Sequence, residues 1–165
     1  MKKLPLRQPP MQAEPLARFD WAVMALDGSP FPMDRMRGET MVLNIWSTMC
    51  APCVAELPSI ERLHKAVGND GVSVMCVATD RDINTVRDFV TAKGFQLPVY
   101  VLGESEIPQV FDSDYVPATY IVNADGRVIY QHTGAALRDH PRVITFLRGL
   151  AVQNAVIPLK DHAVG

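Results

Sequence analysis

The sequence predicts an α/β fold in which a central mixed β-sheet carries helices on both faces. Three observations point there. Apolar, strand-like runs alternate with amphipathic, helix-like segments over residues 40–102, the order that builds a sheet with crossover helices. A strand–turn–strand signal and one more helix close the chain and add an antiparallel part. The chain has 165 residues, 48% of them hydrophobic and 21% charged, which suits one globular domain with a proper core.

The elements follow in order. Residues 1–16, rich in proline and polar groups, read as a leader or linker, 17–150 as the folded domain, and 151–165 as a loose tail. Residues 19–26 form a first strand, closed by the turn Asp27-Gly28-Ser29-Pro30. Residues 32–38 are a loop with a short helical turn, and 40–46 a buried strand. A helix over 51–67 carries Pro58, expected to kink it, and Gly68-Asn69-Asp70-Gly71 stops it. Residues 72–79 are so evenly apolar that they fit a strand buried on both faces. Ile83, Val86, Phe89 and Val90 recur at helical spacing over 82–93, ended by Gly94. Asp80-Arg81-Asp82 reads as the cap of that helix with solvated charges. A short strand at 99–102, a short helix at 105–111, a hairpin of 118–123 with 127–132 around Ala124-Asp125-Gly126, and a helix at 141–150 complete the chain.

Composition excludes some functions. A net charge of −2 gives no broad attraction to nucleic acid or anionic membrane. No stretch reaches the length of a membrane span. Met1-Lys2-Lys3-Leu4 begins like a signal peptide, but Pro5, Arg7, Pro9 and Pro10 stand where an apolar segment should follow. The sequence therefore reads as lacking an export signal, which leaves a trimmed extracytoplasmic form or a cytoplasmic protein.

The chemistry concentrates at Cys50-Ala51-Pro52-Cys53, between the strand ending at Trp46 and the following helix. A Cys-x-x-Cys at a strand-to-helix junction is a thioredoxin-like redox signature. The helix N-terminus offers unpaired N–H groups and partial positive charge, and both stabilise a thiolate. Such sites lower a cysteine pKa from about 8.5 to roughly 3.5–7.5. Pro52 fits the first helical turn, where its missing N–H is no loss. Half of a zinc site and a purely structural disulfide are the bland alternatives. Zinc needs four ligands, and only Cys76 and scattered histidines at 64, 132, 140 and 162 remain. A small-loop bridge gains little from chain entropy. Cys76 lies in a buried strand and reads as a small core hydrophobe. No metal and no cofactor other than the Cys50–Cys53 redox pair are expected.

Two motifs resemble the TlpA/ResA type of thioredoxin-like disulfide oxidoreductase: Leu43-Asn44-Ile45-Trp46-x-x-x-Cys50-x-Pro52-Cys53-x-x-Glu56-Leu57-Pro58, and Val116-Pro117-Ala118-Thr119-Tyr120-Ile121-Val122-Asn123-Ala124-Asp125-Gly126-Arg127-Val128. The inserted strand and helix at 72–93 also suit that family. The resemblance implies a thioredoxin-like fold and a cis Pro117 facing the dithiol. It implies thiol–disulfide exchange with Cys50 as nucleophile and Cys53 as resolver, and Glu56 as the acid that serves Cys53. It further implies work outside the cytoplasm, often in cytochrome c maturation, on a thiol- or disulfide-bearing protein, with an upstream thiol reductant. Val116 and Pro117 would offer backbone to an extended substrate. Met49 stands where thioredoxins carry tryptophan and gives a softer rim. Trp46 packs below the site and completes the substrate-side set. Asn44 replaces the buried aspartate of cytosolic thioredoxins. For Glu56 the competing reading is a solvated helix-surface carboxylate, and His64 and His132 read as surface residues. A peroxiredoxin-type peroxidase would need a proline ahead of Ser47, and a copper chaperone a wider cysteine spacing with a placed histidine; neither pattern is present. A monomer is expected.

Overall fold

A computed structural model describes residues 13–156. Among the described residues seven strands form one mixed sheet: β1 (Ala22–Ala25), β2 (Pro30–Pro32), β3 (Thr40–Trp46), β4 (Val72–Ala78), β5 (Val99–Val101), β6 (Ala118–Val122) and β7 (Val128–Thr133). Their spatial order is β2-β1-β5-β4-β3-β6-β7. β3, β4 and β5 run parallel, and the flanking pairs are antiparallel. The centre of the sheet is where the apolar runs lie. Every residue of β3 is buried, and so is every residue of β4 except Ser73.

The α-helices of the described residues are α1 (Ala51–Val67), α2 (Ile83–Lys93) and α3 (Pro141–Val156). Leu57, Ile60, Leu63 and Val67 of α1, Val86 and Val90 of α2 and Leu147 of α3 pack on one face, against Val42, Val74, Cys76 and Ile121. The opposite face is closed by Phe19, by Met33 and Met36 of a 3-10 helix, and by Phe111 of a second one. Helical segments thus cover both faces, but unequally. Strands β3, β4 and β5 advance in one direction across the sheet, so both right-handed crossovers, α1 and α2, land on the same side.

Several expected boundaries shift, each for a local reason. The first strand begins only at Ala22, because Phe19 turns into the second core instead of extending the strand. β2 falls where the sequence predicts turn and loop. Its two prolines argue against a strand, yet they are tolerated because β2 lies at the sheet edge. The helix expected at 105–111 shrinks to the 3-10 turn Gln109–Phe111, since Pro108 blocks an α-helical register. α1 runs unbroken through Pro58 to Val67. Gly68 ends it in a right-handed conformation, and the positive φ of +80° falls at Gly71, at the entry to β4. α2 ends as expected on a left-handed Gly94. α3, expected to stop at residue 150, continues to Val156, and Asn154 Nδ2 donates to Thr40 Oγ1 at 2.8 Å. The reading of 151–165 as loose thus fails for its first six residues, and 157–165 lie outside the described residues. Of the expected leader, 1–12 lie outside them too. Pro15 and Leu16 pair with β7 and its approach: the Val128 N–H donates to Pro15 O at 2.8 Å, and Leu16 bridges Arg127.

Candidate active site

Cys50 and Cys53 form a disulfide with Cα atoms 5.2 Å apart. Cys50 is the N-cap of α1, and the Cys53 N–H donates to its sulfur at 3.3 Å. The sulfur occupies the place where a Ser or Asp oxygen would cap a helix, so a thiolate there meets an N–H and the helix field. Cys50 is half-buried, whereas Cys53 is 1% exposed. This asymmetry follows from position: the cap residue stands outside the helix, and the residue three further on faces the core.

The loop entering the helix is anchored. Asp80, just after β4, accepts the Thr48 N–H at 3.0 Å and also the Thr48 hydroxyl. The Cys50 N–H donates to Ser47 O at 3.2 Å. Asp80 is therefore a strut of the dithiol loop, which corrects its reading as a cap charge. Asp82 alone caps α2, accepting the Asn84 N–H at 2.9 Å.

Opposite the dithiol, the Val116–Pro117 peptide bond is cis, and Val116 O lies 3.6 Å from Cys50 Sγ. A reduced Cys50 has an S–H to donate there. Val116 is half-buried and Pro117 lies at the entry to β6, so backbone at this edge borders the nucleophile. Met49, 89% exposed, and Tyr115, 73% exposed, flank it with apolar surface. Trp46 does not: it is fully buried and packs on Phe89 at 5.7 Å between ring centres. Its packing below the site is as expected, and its place in the substrate-side set does not hold, because β3 has both faces covered at that point.

Glu56 is 3% exposed, so it is not the solvated helix carboxylate of the alternative reading. Its Oε1 accepts from Asn44 Nδ2 at 2.9 Å, and its Oε2 accepts from the Ala136 N–H at 2.7 Å. The Arg138 guanidinium lies 3.1 Å from Oε2. Asn44 Nδ2 also reaches Thr119 Oγ1 at 3.0 Å, tying β3 to β6 under the site. Cys76 faces this network from β4, paired in register with Asn44. Burial, and after it the negative charge of Glu56, pushes the Cys76 thiol up to about 12. It stays protonated and inert, as its burial alone suggested.

Asn44, Thr119, Ala136 and Arg138 complete the surroundings of Glu56, and sequence reasoning gave none of them this role. Asn44 had a visible signal, a polar side chain inside an apolar strand, which demands a buried partner. Arg138 lies 82 positions from Glu56 in an irregular loop, where no periodicity marks it. His132, read as a surface residue, has Nδ1 3.3 Å from Arg138 Nη2. Among the described residues no group of three His, Cys, Asp or Glu side chains could hold a metal ion.

Fold and site define the class: a thioredoxin-like protein with a Cys-x-x-Cys pair at a helix cap beside a cis-proline edge. The chain belongs to the Redoxin family, whose model matches residues 12–146. It is 28% identical over 109 residues to the thiol-disulfide oxidoreductase ResA of Halalkalibacterium halodurans, covering 66% of this chain and 62% of that one. ResA of Bacillus subtilis is 26% identical over 66% of this chain and 60% of its own length. The chain thus spans somewhat under two thirds of these relatives. In fold it is similar to a putative thiol:disulfide interchange protein DsbE from Chlorobium tepidum, with a TM-score of 0.69 and 18% identity over 87% of this chain and 97% of that one.

Proposed function

We propose that this protein is a thiol–disulfide oxidoreductase that reduces disulfides of partner proteins through Cys50 and Cys53. The observation that carries this reading is the unequal pair: an accessible cysteine capping α1 and a buried one a turn inside it. The Cys50 thiolate attacks one sulfur of the substrate disulfide, and the other leaves as a thiolate. Cys53 gives its proton to Glu56 and attacks the Cys50 sulfur, expelling the second substrate thiolate and leaving the protein disulfide. An upstream thiol reductant returns two electrons and two protons. The redox group is the cysteine pair itself, with no metal or organic cofactor.

The substrate side is the Val116–Pro117 edge with Met49. An extended segment carrying the disulfide lies along that backbone, and the flexible methionine adapts to its side chains. Glu56 as proton acceptor is supported by its burial one helical turn after Cys53. An extracytoplasmic location and a partner in cytochrome c maturation follow the ResA resemblance. Fractionation of cells making the full gene product tests the first, and loss of c-type cytochromes on deletion tests the second.

The decisive experiment is single-turnover reduction of a peptide disulfide by the reduced protein. The C53S variant should accumulate a Cys50-linked mixed disulfide visible by mass spectrometry, and C50S should not react. Equal reactivity of the two single variants would remove the assignment. Peroxide consumption without a disulfide substrate would point to a peroxidase instead.

A further inference from the structure

We propose that Arg138 is a positioning residue of this site, holding the Glu56 carboxylate charged and aimed so that it takes the Cys53 proton and then gives it up again. The proposal rests on the reading of Glu56 given above.

Three donors surround Glu56, and only one is charged. Asn44 Nδ2 and the Ala136 N–H fix the two oxygens, while Arg138 supplies the cation. The loop bearing Arg138 is fastened to the same turn of α1. The Arg138 N–H donates to Ser59 Oγ at 3.1 Å, and Ser59 Oγ donates to Glu56 O at 2.9 Å. Arg138 Nη2 also donates to Gly134 O at 3.1 Å. The guanidinium is thus held at Glu56 from several directions, and Arg138 as a residue is only 5% exposed.

Stability does not explain a buried arginine here. Replacing a buried ion pair by apolar groups is often neutral or favourable, so such a pair is weak evidence of a stabilising role. The chemistry does explain it. A carboxylate facing a fixed cation remains the charged form that can accept a proton. Once Glu56 is protonated, Arg138 faces a neutral acid with its charge uncompensated. That state is disfavoured, and once the disulfide closes the proton passes to the released substrate thiolate, which becomes a thiol. Among the described residues Arg138 Nε has no partner, so the pairing with Glu56 carries much of the compensation for this buried cation.

Cys76 faces the pair from β4 and His132 from β7, Tyr130 and Arg142 line one cavity with Arg138, Arg62 lines another with Glu56, and Cys53 precedes Glu56 by one turn of α1. Burial pushes the Cys76 thiol up to about 12, so it stays protonated in the working range. His132, 3.3 Å from Arg138, is removed separately as a control.

The test is stopped-flow reaction of the reduced protein with the aromatic disulfide DTNB. The first coloured thiolate reports attack by Cys50, and the second reports resolution by Cys53. R138M should leave the first phase unchanged. It should slow the second about tenfold on the acid side of its rate–pH curve and move the midpoint of that curve up by about one unit. R138K, which keeps the charge, should restore most of the second phase, and H132Q should keep the shift absent. If R138M does not fold, R138Q serves as the uncharged variant. A folded uncharged variant with the original midpoint would reduce Arg138 to packing and overturn the proposal. E56Q in the same assay separates the two readings. If E56Q leaves the second phase unaltered, the Glu56 role falls and Arg138 with it. If E56Q alters that phase and R138M does not, only the Arg138 assignment falls.

Discussion

Three cysteines in one domain carry three different reactivities, and position decides each. Cys50 caps a helix and borders solvent, Cys53 lies inside the first turn, and Cys76 sits at the sheet centre. Brief treatment of the reduced protein with iodoacetamide near neutral pH should label Cys50 first and Cys76 not at all until the protein unfolds. Peptide mapping checks this; preferential labelling at Cys53 would reverse the two roles. C76A should leave disulfide exchange unchanged and cost about 1 kcal/mol in urea unfolding, the scale of one lost buried heavy atom. The dithiol was legible in the sequence because Cys-x-x-Cys depends only on local spacing at a helix start. The burial of Glu56 was not, since it depends on the loop at 134–138 folding over α1.

At the scale of elements, the start of α1 and the start of α2 are held by neighbouring aspartates with different duties. Asp80 reaches across from β4 to Thr48, and Asp82 caps its own helix. D82A should cost about 1 kcal/mol, as for an ordinary N-cap, and leave the rate of exchange alone. D80A should cost about 1–2 kcal/mol through two lost hydrogen bonds to a charged group and also slow exchange several-fold, because the Cys50 loop loses its strut. Urea midpoints with Cys50 alkylation rates distinguish the two. Equal effects on exchange would refute the separate duties. Both residues stand in one Asp-x-Asp stretch, and nothing local separates a cap from a strut. The difference lies 32 positions away, at Thr48.

For the whole molecule, stability should form a plateau with an acid and an alkaline edge. Hydrogen bonding from the Gln96 N–H lowers Glu61, and Arg62 lowers Asp139, relative to 4.5 and 3.8. Below those values the unfolded chain binds more protons than the native one, so stability present at neutral pH is lost as the pH falls. Burial raises Tyr100, Tyr120 and Cys76, the last from 9.0 to about 12. Above about pH 9 the unfolded thiol ionises first, and stability is lost as the pH rises toward 12. Urea midpoints across this range should show both edges, with a shallower alkaline edge in C76A. An equally steep edge in that variant would place the loss in the tyrosines. Sedimentation equilibrium should give the mass of a single chain, and a dimer would overturn the expected monomer.

What the sequence determined by itself was the frame. The apolar runs of β3 and β4, the spacing in α2, its left-handed Gly94 and the Asp125-Gly126 hairpin specify elements, because each is set by contacts or dihedrals within a few residues. The cysteine pair at a helix start specified the chemistry for the same reason. Tertiary structure decided the rest. It placed both crossover helices on one face and admitted Pro30 and Pro32 to an edge strand. It also brought Asn44, Glu56 and Arg138 together from β3, α1 and a distant loop. A buried carboxylate needs partners from whatever segments the fold brings near, and local patterns of residues carry no record of such long-range neighbours.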